Sequence, residues 1–216
     1  MRFVLGLLRQ TVAGLTVLLA LTVVLGAAYP AAVWAVSRIG ADSAEGSPVV
    51  DASGCVVGSG LIGVDPKPAA GEPDPYFHNR VTGSAADDDP FATTDPAAAV
   101  PSNMGPSNPT LAEFVDKRRA AVAARENVDP AAVPVDAVTG SGSGIDPHIS
   151  PAYAEIQIPR VARETGKSVD QVRALVKEHT DGRTLGFLGA PRVNVLELNT
   201  ALGHTAPSCG AANAGG

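Results

Sequence analysis

Between Arg9 and Arg38 the chain carries no charged residue, and this run limits what it can fold into more than any other feature. Residues 11–36 read TVAGLTVLLALTVVLGAAYPAAVWAV, 26 positions that as a helix would measure about 39 Å at 1.5 Å per residue. That exceeds the roughly 30 Å hydrocarbon layer of a bilayer, so the run can span one with some tilt. It has no polar face, which argues against a core helix of a water-soluble domain. A cleaved signal peptide is the competing reading, with Gly26-Ala27-Ala28 as the small-residue site. The run outlasts the roughly 7–15 apolar residues of a signal core, so the expectation is a retained anchor. Tyr29 and Trp34 lie near its end, where amphipathic rings favour the interface. Pro30 is expected to break the helical hydrogen bonding there. Arg2 and Arg9 precede the span and Asp42, Glu45 and Asp51 follow it. Basic residues stay cytoplasmic, so residues 1–10 are expected inside and residues 37–202 outside. Gly6, Ala13, Gly14, Ala20, Ala27 and Ala28 would let another helix approach closely.

The remainder is acidic and poor in aromatics. A net charge of −6 argues against a nucleic-acid partner, whose phosphates need Lys and Arg. Two cysteines, Cys55 and Cys209, are too few for a disulfide framework or a structural zinc site. Residues 39–109 hold nine Gly and ten Pro, with ten acidic residues against two basic. This is loop territory, with residues 55–62 as its one expected strand. The insert 83–99, with Asp87, Asp88 and Asp89 in a row, is expected to be a solvated loop. Its charge would raise local cation concentration over a Debye length of roughly 8 Å.

From Asn108 the pattern becomes helical. Asn108 as cap and Pro109 in the first turn open a helix with Leu111, Phe114, Val115 and Val122 on one face. Lys117, Arg118, Arg119 and Arg125 read as its solvated side. Ser150 and Pro151 open a second helix that Pro159 is expected to interrupt or kink. Gly166 ends it, and Ser168 with Gln171 forms a capping box for a third, with Val169, Val172, Leu175 and Val176. Residues 193–198 read as a strand, and residues 203–216 as a disordered tail. The fold class is α+β: a single N-terminal transmembrane helix, then a small extracytoplasmic mixed α/β domain.

Little of the chemistry is catalytic. His78, His148, His179 and His204 are scattered without metal-ligand spacing, so no metal is expected. Asp146 and His148 flank Pro147, and the spacing favours a turn over a catalytic pair. Gly166-Lys167-Ser168 mimics the end of a phosphate loop, but Val161 stands where the first glycine belongs. Residues 140–144, GSGSG, could form an anion nest, with flexible linker as the default. A free-standing anchored hydrolase using Asp146, His148 and a nearby serine is one competing class of function. A secreted binding protein released by cleavage is another.

Several polar blocks together resemble a known family. They are Tyr76-Phe77-His78-Asn79-Arg80, Ser102-Asn103-Met104-Gly105-Pro106-Ser107-Asn108-Pro109 and the stretch 133–144 that includes Asp136, Ser141 and Ser143. They continue through Asp146-Pro147-His148-Ile149-Ser150-Pro151, Gln157-Ile158-Pro159-Arg160-Val161-Ala162, Gly186-Phe187-Leu188-Gly189 and Val193-Asn194-Val195-Leu196-Glu197-Leu198-Asn199. Their order resembles the C subunit of the bacterial Kdp potassium-transporting ATPase, over residues 5–202. The resemblance departs at Arg80-Val81-Thr82, where the family has Arg-Pro-Ser. It departs again at residues 58–64, where Gly60 and Val64 replace a Glu and a Gln.

The resemblance implies a non-catalytic accessory subunit of an ATP-driven potassium importer in the cell membrane. Implied partners are a channel-like potassium-translocating subunit, a P-type ATPase subunit and a very small membrane subunit. The family is described as an assembly factor, or catalytic chaperone, that raises the ATP affinity of the ATPase subunit. The expected topology keeps the polar residues away from cytoplasmic ATP, so no directly bound cofactor is read from the residues, while the family's ternary-complex description implies ATP as the one candidate.

Overall fold

The computed structural model describes residues 2–83, 89–93, 95–99 and 101–204. It divides into two compact units, Met1–Gly46 and Ser47–Gly216.

The first unit is helical. α1 spans Arg2–Val23, a π turn follows at Val24–Ala28, and α2 spans Tyr29–Ser37. A 3-10 turn at Arg38–Gly40 leads into α3, Ala41–Ala44. No residue of α1, the π turn or α2 is buried. Thr16 and Thr22 donate their hydroxyls to the Val12 and Leu18 carbonyls (2.9 and 2.8 Å), so both are satisfied within the helix, as lipid requires. Pro30 does not end the helix. The preceding turn widens instead, with the Tyr29 N–H reaching back to the Val24 carbonyl, and this accommodates the missing donor. The helical path continues to Ala44, past the expected end at residue 36.

The second unit is α+β. Strands β1 (Pro48–Val50) and β2 (Val56–Ser59) form an antiparallel hairpin, with a register shift between Val49 and Val50. The apolar run 55–62 is therefore a strand only to Ser59. Beyond it Gly60 donates to the Ser47 carbonyl and Gly63 to that of Ile145 (2.9 and 2.7 Å). A β-carbon on Gly63 would overlap the Asp146 backbone, so only glycine passes there.

Helix α4 spans Pro109–Glu126, followed by β3 (His148–Ile149), α5 (Pro151–Thr165), α6 (Val169–Glu178), β4 (Thr180–Asp181), β5 (Arg192–Asn194) and α7 (Val195–Ala201). β5 is the centre of a three-stranded antiparallel sheet, flanked by β3 and β4. Asn108 and Ser150 cap α4 and α5, Gly166 closes α5 in the left-handed region, and Ser168 with Gln171 completes the capping box of α6. The core joins Phe77, Val122, Tyr153, Ile158, Val172 and Leu198.

Four expectations change. Pro159 lies on the exposed side of α5, which continues to Thr165 without interruption. Water can serve the carbonyl that Pro159 leaves free. Residues 193–198 are strand only through Asn194, whose side chain accepts from the Glu197 N–H and turns the chain into α7. Arg118 is 3% exposed rather than solvated, and Arg125 is half-buried. The described part of the insert 83–99 is not merely a surface loop, because Phe91 packs against the core beneath the Arg125 and Arg118 guanidiniums (4.6 and 5.5 Å to the ring centroid). Asp87 and Asp88 lie outside the described residues, as does the tail beyond His204. Gly203 and His204 are tied down by backbone bonds to Thr200 and Asn199.

An irregular segment, residues 74–80, runs through this core outside any strand, and side chains pair its backbone groups. Asn199 accepts from the Phe77 N–H (2.8 Å) and donates to its carbonyl (2.9 Å). Gln157 does the same for His78 at 2.8 and 3.2 Å. Asp65 accepts from the Asn79 N–H, and Arg118 donates to the Asn79 carbonyl. Arg160 donates to the carbonyls of Asp74 and Tyr76 (2.7 and 2.9 Å). Buried peptide groups must be paired, and here amides and guanidiniums from distant helices pair them. We expect Gln157→Leu to strand both His78 groups, costing roughly 2–5 kcal/mol. Thermal denaturation of the full chain in detergent should show a fall of about 5–15 °C. Gln171→Leu, which loses only an exposed cap, should cost about 1 kcal/mol or less.

Candidate functional site

The residues of the resembling blocks fall into an interior set and a surface set. Within the interior, His78 is 4% exposed, with Nδ1 at 3.2 Å from Asp65 Oδ2 and Nε2 at 2.8 Å from Asp74 Oδ2. Arg160 binds the side chain of Glu126 through Nε (2.9 Å) and Nη2 (3.1 Å), and Arg125 Nε reaches Glu126 at 2.6 Å. Arg125 also donates to the Tyr153 hydroxyl at 3.0 Å, and burial pushes that phenol's pKa up. Tyr76 stacks against His204 with ring centroids 4.4 Å apart. Asn194 donates to the Gly60 carbonyl (2.8 Å), joining the hairpin to the larger sheet. These groups brace one another and leave no room for a substrate.

The surface set lines two neighbouring concavities. The larger, about 490 Å³, is bounded by Arg80, Asp136, Thr139, Asp146, His148, Ser150 and Arg192. Its neighbour, about 240 Å³, lies between Ser102, Met104, Leu111 and Phe114 on one side and Thr139, Gly140, Ser141 and Gly144 on the other. Thr139 borders both. Arg80 donates to Asp146 Oδ2 (3.1 Å) and to the Gly140 carbonyl (2.7 Å). Asp146 Oδ1 accepts from the His148 N–H (3.0 Å) and lies 3.2 Å from His148 Nδ1. Asp146 and His148 thus make the expected turn and also touch through their side chains, which the sequence reading did not anticipate. Pro147 is buried, and its carbonyl accepts from Val195.

The serines that the resembling blocks place beside them, Ser150, Ser141 and Ser143, are engaged with other partners. The Ser150 hydroxyl donates to Asp136 Oδ1 (2.9 Å) and accepts from the Tyr153 N–H (3.0 Å). Ser141 and Ser143 hydroxyls face each other at 3.0 Å and accept from the Gly144 and Ile145 N–H groups. The GSGSG run is therefore an ordered wall of the smaller cleft rather than a linker. Its amides are partly used by its own hydroxyls. Asn103, at φ +54°, and Gly105, Pro106 and Ser107 form the exposed turn that leads to Asn108 and Pro109. Glu197 is exposed at the first turn of α7.

Sequence reasoning overlooked Asp65, Asp74, Arg118, Arg125 and Glu126. Periodicity carried a signal for two of them: Phe114, Arg118, Val122 and Glu126 recur every fourth residue, so both charges sit on the buried row of α4. Asp65 and Asp74 come from irregular chain, where no period points inward.

Both surface and interior carboxylates respond to acid. Burial opposes ionisation of Asp146, but hydrogen bonds from His148 and the charge of Arg80 outweigh it and hold its pKa below the ordinary carboxylate range. Asp74 behaves likewise, with burial outweighed by His78 and Arg160. Unfolded carboxyls take up protons first, so these two stabilise the fold above about pH 4, and the gain is lost as pH falls through their folded-state values. We expect Asp146→Asn to lower the Tm at pH 7 and the gap to the parent chain to narrow as pH falls below the ordinary carboxylate range. A gap that is constant across this range would show that the Asp146 charge is not what stabilises.

A helical path over Arg2–Ala44 with a central run long and apolar enough to cross a membrane, joined in sequence to a small internally braced α+β domain, fits a single-span membrane-anchored protein. The chain belongs to the family of the K+-transporting ATPase, c chain, which matches residues 11–204. It is 50% identical over 202 residues to the potassium-transporting ATPase KdpC subunit of Kineococcus radiotolerans, covering 94% of this chain and 97% of that one. The corresponding subunit of Streptomyces avermitilis is 44% identical over 203 residues (88% and 91% of the two chains). That of Mycobacterium bovis is 46% identical over 197 (90% and 97%).

Proposed function

We propose that this chain is the non-catalytic accessory subunit of a high-affinity, ATP-driven potassium importer. It joins the channel-like translocating subunit, the P-type ATPase subunit and the small membrane subunit into one complex. The observation that carries this reading is the extent of the match, which takes in the anchor and the folded unit together at 50% identity. The chemistry of the folded unit supports it. The charged groups beside the clefts are paired to one another, an arrangement that presents fixed shape and polarity to a partner.

The anchor holds its N-terminus in the cytoplasm and the folded unit outside. Arg2 and Arg9 before the span and Asp42 and Glu45 after it support that direction. On this topology the subunit raises the ATP affinity of its P-type partner through the partner chains and does not touch the nucleotide. The anchor also packs against a neighbouring helix through Gly6, Ala13 and Gly14, and Gly6 and Gly14 have open space around them.

A chain carrying a secretion-dependent phosphatase at its C-terminus should be active in intact cells. Removing the chain from a strain that depends on the transporter should abolish growth at limiting potassium and leave the other subunits poorly recovered together. Full assembly and unchanged potassium affinity without this chain would overturn the reading. Replacing residues 11–36 by polyleucine should keep the chain in the membrane while reducing recovery of the partners.

A further inference from the structure

The segment between β4 and β5 is the most exposed apolar feature of the folded unit among the described residues. Every residue from 181 to 191 is exposed, with Leu185 at 79%, Phe187 at 70% and Leu188 at 48%. The segment is nevertheless built. Thr184 and Leu188 exchange two backbone hydrogen bonds at 2.9 Å, the Phe187 N–H reaches the Thr184 carbonyl at 3.3 Å, and Arg183 donates to the Gly189 carbonyl at 2.7 Å. The turn places Leu185 at φ +54° and Gly186 at φ +81°. Two consecutive positive φ values favour Asn-Gly, and a leucine in the left-handed region costs about 1–2 kcal/mol. The chain thus accepts backbone strain to hold a bulky apolar side chain in water. Neither feature stabilises the folded unit itself, and strain kept at an exposed apolar tip points to use elsewhere.

We propose that residues 184–188 form a rigid apolar knob that seats in an uncharged concavity on the external face of another chain of the transporter. This rests on the accessory-subunit reading above. The surroundings favour a protein occupant. Arg192 is paired with Asp181 at 3.1 Å and Arg183 bonds the Gly189 carbonyl, so at most one uncompensated arginine lies there, far short of the basic cluster that holds anionic headgroups. A bilayer surface also has no need of a fixed turn geometry. A second copy of this chain is a poor occupant, because three side chains expose on the order of half of the ~800 Å² per partner that a stable free-standing interface needs. Within an assembly already held by a membrane helix, effective concentration is roughly millimolar and a contact this small suffices.

The test uses Leu185→Asn combined with Phe187→Ser in the full chain. Asn tolerates the left-handed turn, so the variant should fold with an unchanged or higher Tm than the parent. Recovery of the other transporter subunits on the tagged variant should fall at least fivefold. Wild-type chain that recovers no partner would defeat the accessory-subunit reading. Wild-type and variant recovering partners equally would defeat the knob alone. As a second measurement, Phe187 is replaced by a photo-crosslinking phenylalanine analogue in the assembled complex. An adduct with another transporter subunit is expected. Adducts only with lipid, only with a second copy of this chain, or with nothing in a complex that still assembles, would overturn the proposal.

Discussion

The folded unit depends on pairing the backbone of one buried irregular segment. Residues 74–80 cross the core beside α5 and α7, and they pair with none of β3, β5 and β4, which pair only among themselves. Peptide groups stranded there would each cost about as much as a lost core side chain. Asn199, Gln157, Arg160, Arg118 and Asp65 remove that cost by standing in for strand neighbours. Each surrogate brings a constraint of its own. Arg160 must itself be neutralised, hence Glu126, and Glu126 draws in Arg125, which in turn rests on Phe91. A polar network has to be satisfied throughout or it destabilises, so one unpartnered segment fixes the identity of side chains on three helices.

This account explains what the sequence could and could not disclose. Helix starts were legible because caps are local: Asn108, Ser150 and Ser168 act on amides two or three residues away. The anchor was legible because lipid compatibility is a property of composition. The bracing was not, since Gln157 meets His78 across 79 positions and Asn199 meets Phe77 across 122. No period within a window reports such a meeting. The strand reading of residues 193–198 failed partly for a related reason. Val, Leu and Asn there fit either state; the Asn194 cap on Glu197 was a local signal that went unread, while the bond from Asn194 to Gly60, 134 positions away, is made only in the folded unit.

The resembling blocks gain a physical sorting. Phe77, His78, Gln157, Arg160 and Asn199 maintain the interior. Arg80, Asp146, His148, Asp136 and the 140–144 loop hold the rims of two clefts in a fixed arrangement. Gly60, one of the departures from the resembling blocks, sits close to Glu197: a β-carbon there would stand 3.2 Å from Glu197 Oε1. That substitution lies at the hairpin's seam with α7 and leaves the clefts untouched.

Residues on either side of 84–88 are fastened at close quarters. Gly83 lies so tightly against the Ala92 backbone that a β-carbon would collide with it, and Arg118 grips the Pro90 carbonyl at 2.6 Å. Gly83 and Ala92 are thus held side by side, and the number of residues between them is decoupled from the stability of everything below. Closure entropy grows only as the logarithm of length, by about 0.6 kcal/mol per doubling. Acidic residues can therefore be added or removed between the two fastenings while the braced core stays as it is. The charge this subunit displays to its surroundings becomes a quantity that evolution can tune separately from the fold that carries it.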